Sequence, residues 1–262
     1  MSGRDNARPA AHPLGDPTGR ILIGQGVLVI GATSGFGRAI ARLFGKHGAS
    51  VAVQFSSDRA AANAVVRSIV RGGGNAFACH ADISLERDVG RLFKEVVHRL
   101  GALDIVVMTP DGNNFAAIDE LSPGQRRELF DTNFVSQYLC ALAAVRELGR
   151  RRVVSESPGT AKKLIIVSSS RPPHHWTGQS KYLEIEGAKL IIDSITETAR
   201  MYQISVNYLV PSQIMSDNEQ GLYPNPHLIA KAALCMAADV SGSVGGTTWA
   251  GPYRHMETGD GC

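Results

Sequence analysis

The hydrophobic pattern along the chain switches between two periods. "VLVI" (27–30) is a short, wholly apolar, β-branched run, as expected of a strand buried on both faces. "FGRAIARLFGKHG" follows, with Ile40, Leu43 and Phe44 at helical spacing and Gly48 as a stop. The alternation continues: "SVAVQF" predicts a strand, "DRAAANAVVRSIVRGG" a helix and "NAFACHAD" a third strand. "LERDVGRLFKEVVHRLG" predicts a helix with Val89, Leu92, Phe93, Val96 and Val97 on one face, and "LDIVVM" a fourth strand. After "PDGNN", one long helix is predicted from about Pro123 to Leu148, with Phe134, Tyr138, Leu139 and Leu142 spread over a wide apolar arc. A polar linker, "RRRVVSESPGTAKK", leads to a fifth strand, "LIIVSSS". A second long helix is expected over about 179–202, then a strand "ISVNYLV", a helix "LIAKAALCMAAD" and a last short strand in "GGTTWAG".

Strand and helix alternating in this way predict successive βαβ units. The expected fold class is α/β: a Rossmann-type, doubly wound parallel sheet with helices on both faces, in a single domain. The expected division is a flexible tail over residues 1–24, rich in Pro, Gly, Arg and Asp, and one α/β domain over 25–262. A chain of 262 residues with 44% hydrophobic residues has enough apolar mass for one such core. The net charge of +3 argues against a dedicated nucleic-acid binder, and Arg150, Arg151 and Arg152 read as the solvated end of a helix. No apolar run approaches the ~20 residues of a membrane span, and the N-terminus has no apolar secretory core. The four cysteines, Cys79, Cys140, Cys235 and Cys262, form no CxxC pair and are expected to be free thiols in a cytoplasmic protein.

The first strand runs directly into "GATSGFG", which opens a helix, with spacing Gly31-x3-Gly35-x-Gly37. Backbone N–H groups and the positive end of the helix dipole make such a turn a seat for a pyrophosphate. Gly31, Thr33, Ser34, Gly35, Phe36 and Gly37 are the positions expected against it. At the end of the second strand, "QFSSDR" has no carboxylate over Gln54–Ser57 to repel a 2′-phosphate. Ser56 and Ser57 can donate hydrogen bonds, Arg59 adds charge, and Asp58 is placed to cap a helix and point elsewhere. NADP(H) is therefore favoured over NAD(H).

From about Gly26 to Gly251 the chain resembles the short-chain dehydrogenase/reductase family. "GATSGFG" resembles the family's TGxxxGxG, and "HADIS" the segment in which Asp82, with Ile83 beside it, would contact the adenine. "DTNFVS" resembles the segment supplying an active-site asparagine, here Asn133, and "LIIVSSS" the strand that bears the catalytic serine. Ser169 lies thirteen residues before Tyr182, the family's serine–tyrosine interval. "ISVNYLVPSQIMS" resembles VNxxxPGxxxT and puts Ser216 against the nicotinamide amide. The resemblance implies hydride transfer between nicotinamide and a carbonyl carbon. In that scheme Tyr182 is the proton donor, Ser169 holds the oxygen, and Asn133 anchors a water.

Three departures surround that site. The family's NNAG is here "MTPD" (108–111), and the stretch from about Met215 to Pro226 is short for a substrate lid. The lysine of YxxxK is Glu186, and a carboxylate there raises the tyrosine pKa instead of lowering it. Lys189, seven residues after Tyr182, is the candidate substitute, and the family's enoyl-reductase branch uses that spacing. The alternative for Lys189 is a surface lysine paired with Glu186. His174, His175 and Trp176 stand in the loop before Tyr182 with no ligand-spaced partner, so no metal is expected. Three readings follow: a carbonyl reductase acting on a small or carrier-bound substrate, a reductase of an activated C=C bond, and a cofactor-binding or non-redox member. A homodimer or homotetramer built on the two long helices is expected, with neither nucleic acid nor membrane as a partner.

Overall fold

A computed structural model of the chain describes residues 19–109, 121–150, 162–168, 180–209, 211, 225–238 and 247–249. In chain order the elements are β1 (Gly26–Ile30), α1 (Gly35–Lys46), β2 (Ser50–Phe55), α2 (Arg59–Arg71), β3 (Asn75–His80), α3 (Glu86–Leu100) and β4 (Ile105–Met108). They continue with α4 (Pro123–Phe130), a π turn (Asp131–Val135), α5 (Ser136–Arg150), β5 (Lys162–Val167), α6 (Ser180–Met201), β6 (Ile204–Leu209), α7 (Pro226–Ala238) and β7 (Thr247–Trp249).

The strands form one sheet in the order β3-β2-β1-β4-β5-β6-β7, and every pairing is parallel. An all-parallel sheet is covered on both faces, and strand alternation sorts the side chains between them. Leu28, Ile30, Val106, Met108, Leu164 and Ile166 pack against α3, α5 and α6. Val27, Val29, Ile105, Val107, Ile165 and Val167 pack against α1, α2 and α7. The chain builds outward from β1 to β3, then crosses back to lay β4 on the other side of β1. That reversal opens a crevice at the carboxyl ends of β1 and β4, where open α/β sheets bind ligands.

The opposite end of the sheet is held by charge. Asp104, just before β4, accepts from the Gly26 N–H at 2.7 Å through Oδ2 and from Lys162 Nζ through Oδ1. Lys162 also donates to the Leu103 carbonyl, and Lys163 donates to the carbonyls of Met236 and Ala237 at the C-terminal end of α7. Both lysines are buried residues of β5, not part of a polar linker as their letters suggest. Each head group reaches a carboxylate or a helix-end carbonyl, which offsets the cost of burying it.

Three other expectations change. The long helix from 123 to 148 is two helices: the Ser136 N–H bonds to the Asp131 carbonyl, and the π turn between them adds a residue that hydrophobic spacing does not reveal. β3 ends at His80, before Ala81 and Asp82. Cys79 and Cys140 are buried free thiols, and burial pushes both up to about 12, but Cys235 is disulfide-bonded, against the expectation of free thiols throughout.

Removing Asp104 as Asp104→Ala strips the Gly26 N–H and Lys162 of their shared acceptor and should cost about 3 kcal/mol in chemical denaturation. A double-mutant cycle with Lys162→Met should show coupling above about 1 kcal/mol, whereas additive losses would mean the pair contributes nothing jointly.

Candidate cofactor and active site

The crevice is built around Gly31, the first residue past β1. Its φ of +72° lies in the left-handed region, and a Cβ there would come within 2.7 Å of the Thr109 carbonyl oxygen. A Cβ on Gly37 would sit 2.2 Å from the Gly31 carbonyl oxygen. These two glycines are therefore required by the loop folding onto itself and onto the end of β4.

Two polar side chains fasten this loop. Gln54 is 1% exposed and spans three strands. Its Oε1 accepts from the Gly31 N–H and its Nε2 donates to the Ala81 carbonyl, each at 2.9 Å. Thr109 shares its hydroxyl proton between the carbonyls of Ile30 (2.9 Å) and Gly31 (3.1 Å), and its N–H donates to Ile30. Ser34 caps α1 by accepting from the Gly37 N–H at 3.2 Å, while its own N–H donates to the Gly31 carbonyl. Of the positions expected against a pyrophosphate, Gly31, Ser34 and Gly37 thus spend their N–H groups on holding the loop itself. Among the described residues, the N–H groups of Thr33, Gly35 and Phe36 have no hydrogen-bond partner. They lie at the N-terminus of α1, and Gly35 is exposed, with only Pro226 Cγ, 4.0 Å away, near where a Cβ would be. Those amides and that open flank fit a pyrophosphate.

The neighbouring strand ends supply the wall for the other half of a dinucleotide. Phe55 closes β2 and is buried, with the Arg59 guanidinium 5.2 Å above its ring and the His80 ring 5.3 Å away. Ser56 and Ser57 are exposed beside it. Asp58 accepts from the Ala61 N–H at 2.8 Å, so the one nearby carboxylate is spent on capping α2, as its position suggested. Asp82 is exposed, and its Oδ1 accepts from the Ser84 N–H and hydroxyl at 3.0 and 2.7 Å. Its N–H donates to Asp88 Oδ2, and that bond, followed by Arg91 and Arg87, holds the Asp88 carboxyl below its ordinary value against some desolvation. Ile83 is half-buried against the core.

Of the catalytic candidates, Asn133 falls within the π turn, which packs against α6, and Tyr182 lies in the first turn of α6. Glu186 and Lys189 follow on the same helix. Ser168 is 3% exposed, and its N–H carries the β5–β6 ladder on to the Leu209 carbonyl at 2.9 Å. Ser169 and Ser216 lie outside the described residues, as do the loop of His174–Trp176, residues 215–224 of the short lid, and Pro110 and Asp111 of "MTPD". Sequence reasoning missed Gln54 and Thr109 as the residues that shape the loop. The one signal for Gln54 was an amide inside an otherwise apolar strand.

Residues 25–226 match the short chain dehydrogenase family. An uncharacterized oxidoreductase of Methylorubrum extorquens is 38% identical over 128 residues, covering 49% of this chain and 52% of that protein. The chain thus spans about half the length of that relative. A peroxisomal 2,4-dienoyl-CoA reductase of Arabidopsis thaliana is 29% identical over 74% of this chain and 65% of its own length. A hydroxynaphthalene reductase-like protein of Metarhizium guizhouense is 32% identical over 77% of this chain and 73% of its own. The crystal structure of a hydroxysteroid dehydrogenase from Escherichia coli superposes with a TM-score of 0.72 at 24% identity, covering 87% of this chain and 95% of that one. The chain belongs to the short-chain dehydrogenase family, oxidoreductases that use nicotinamide cofactors.

Proposed function

We propose that the protein is an NADP(H)-dependent reductase that transfers a hydride to the carbonyl of a small or carrier-bound substrate. The observation that carries this reading is the loop at the end of β1, tied down by Gln54 and Thr109, which leaves the amides of Thr33, Gly35 and Phe36, at the start of α1, without partners among the described residues. Ser56, Ser57 and Arg59 support the 2′-phosphorylated cofactor, since Asp58, the carboxylate between them in the sequence, is engaged in a helix cap.

When bound, the nicotinamide supplies the hydride. The phenol of Tyr182 gives the proton to the carbonyl oxygen, which the hydroxyl of Ser169 holds in place. Ser169 is assigned over Ser168 because Ser168 is buried and its N–H belongs to the ladder. Asn133 anchors the water through which Tyr182 is reprotonated. Glu186, about 6 Å along the α6 axis from Tyr182, opposes phenolate formation, so the cation that assists Tyr182 is Lys189, about 10.5 Å along the same helix. The residues of the glycine loop from 31 to 37, with Asp82, Ile83 and Ser216, line the cofactor.

A second reading, reduction of an activated C=C bond by Tyr182 and Lys189, is supported by their spacing and by the dienoyl-CoA reductase among the relatives. The protein works as a homodimer or homotetramer, a proposal supported by Phe130, Tyr138 and Leu190, large apolar side chains exposed on α4, α5 and α6.

NADPH should raise the melting temperature of the purified protein, and its absorbance should fall with either a panel of ketones or a panel of enones, which decides between the two readings. Tight NADPH binding with no turnover on either panel would assign the protein to non-redox chemistry or to a binding role. Gln54→Met keeps the volume but leaves the Gly31 N–H and the Ala81 carbonyl unpaired. It should cost about 3 kcal/mol in denaturation and weaken NADPH binding at least about tenfold. Light scattering after size exclusion should return twice or four times the mass of the chain, and a monomer would overturn the assembly proposed.

A further inference from the structure

Charge is divided unevenly along this chain. Between residues 19 and 81 there are seven Lys and Arg residues and one carboxylate, Asp58, although the whole protein carries only +3. Six of the seven cations stand on two helices: Arg38, Arg42 and Lys46 on α1, and Arg59, Arg67 and Arg71 on α2. All six are exposed, and neither helix contains an Asp or Glu. None of the six forms an ion pair among the described residues. Asp58, at the head of α2, is occupied by the Ala61 N–H.

This is not how an exposed helix face is stabilised. α3 shows the usual arrangement, with Glu95 against Arg99 and Asp88 against Arg91. On α1 the steps from Arg38 to Arg42 and from Arg42 to Lys46 join like charges at i,i+4, as does the step from Arg67 to Arg71 on α2. Each such pair destabilises its helix by a few tenths of a kcal/mol. α1 and α2 pack side by side, so the two rows lie on neighbouring helices. Both helices begin at the crevice, α1 at the glycine loop and α2 directly after Ser56 and Ser57. The cations recede from it by about 6 Å for every four residues, within one or two screening lengths of roughly 10 Å at ordinary ionic strength.

We infer that the exposed cations of α1 and α2 form an electrostatic guide that draws an anionic dinucleotide into the crevice and favours the 2′-phosphorylated form. The inference rests on the cofactor reading above and adds the origin of its selectivity. NADPH carries about two more negative charges than NADH through its 2′-phosphate, so a long-range positive field accelerates its arrival more. Arg42, Lys46, Arg67 and Arg71 lie beyond the first turns of their helices and act through this field, whereas Arg59 stands at the strand ends themselves. Charges acting at a distance change the rate of association and leave the bound contacts, hence the rate of dissociation, as they were.

The test is stopped-flow association of NADPH and of NADH, read by nicotinamide fluorescence, with wild type and with the variant Arg42→Gln/Lys46→Gln/Arg67→Gln/Arg71→Gln. At low ionic strength the association rate constant for NADPH should fall about tenfold in the variant, and that for NADH by about threefold or less. Dissociation rates should not change, and added salt should slow wild type down to the variant's rate. Arg42→Lys/Arg67→Lys/Arg71→Lys, which keeps every charge, should retain wild-type rates. If the fourfold variant does not fold, Arg42→Gln/Arg67→Gln should give an intermediate loss. An unchanged NADPH association rate, an equal loss for both dinucleotides, or a loss confined to dissociation would each overturn the inference while leaving the crevice as the cofactor site. Wild type binding neither dinucleotide would instead overturn the cofactor reading and the guide with it.

Discussion

The crowding at Gly31 is the constraint on which the rest of the site depends. Parallel strands β1 and β4 lie side by side, and the chain leaving β1 must turn within the space left by Thr109. Only a residue with no side chain and a left-handed φ makes that turn. Once it is made, the Gly31 N–H points to Gln54, its carbonyl receives Thr109 and Ser34, and α1 starts where it does. Among the described residues, the amides left over include those of Thr33, Gly35 and Phe36, at the N-terminus of α1. The donors proposed for an anion are thus what remains after the loop has met its own hydrogen-bonding needs.

The two ends of the sheet solve different problems. At the carboxyl ends, hydrogen bonds leave some donors unspent, and the cationic helices α1 and α2 flank the opening. At the amino ends, Asp104 and Lys162 neutralise each other, Lys163 seals the end of α7, and little is left over for a ligand. The apolar strands, buried on both faces, run between these two ends.

Much of this was legible from one dimension. The strands were readable because burial on both faces leaves unbroken β-branched runs, and the glycine loop because its neighbours form a strand and a helix. The misreadings share a cause. Lys162 and Lys163 looked like linker residues because their partners, Asp104 and the end of α7, are remote in sequence. Gln54 was weighed for the carboxylate it lacks, while its task is to join strands that meet only in the folded sheet. The roles proposed for Ser169, Tyr182 and Ser216 have no signature in periodicity at all. They rest on family resemblance, because an isolated serine or tyrosine carries no local mark of its chemistry.

The π turn at Asp131–Val135 has a geometric corollary. One surplus residue in a helix turns everything beyond it by about 100° relative to an unbroken spiral. α4 and α5 therefore present faces that are out of phase, although Phe130 still stacks on Phe134 across the junction at 4.9 Å. Deleting a single amino acid there would yield a more regular helix and a worse protein: the buried stripe of α5 would be turned away from the core or α4 swung round to a new face, and the backbone around Asn133 would lose the very irregularity that distinguishes it.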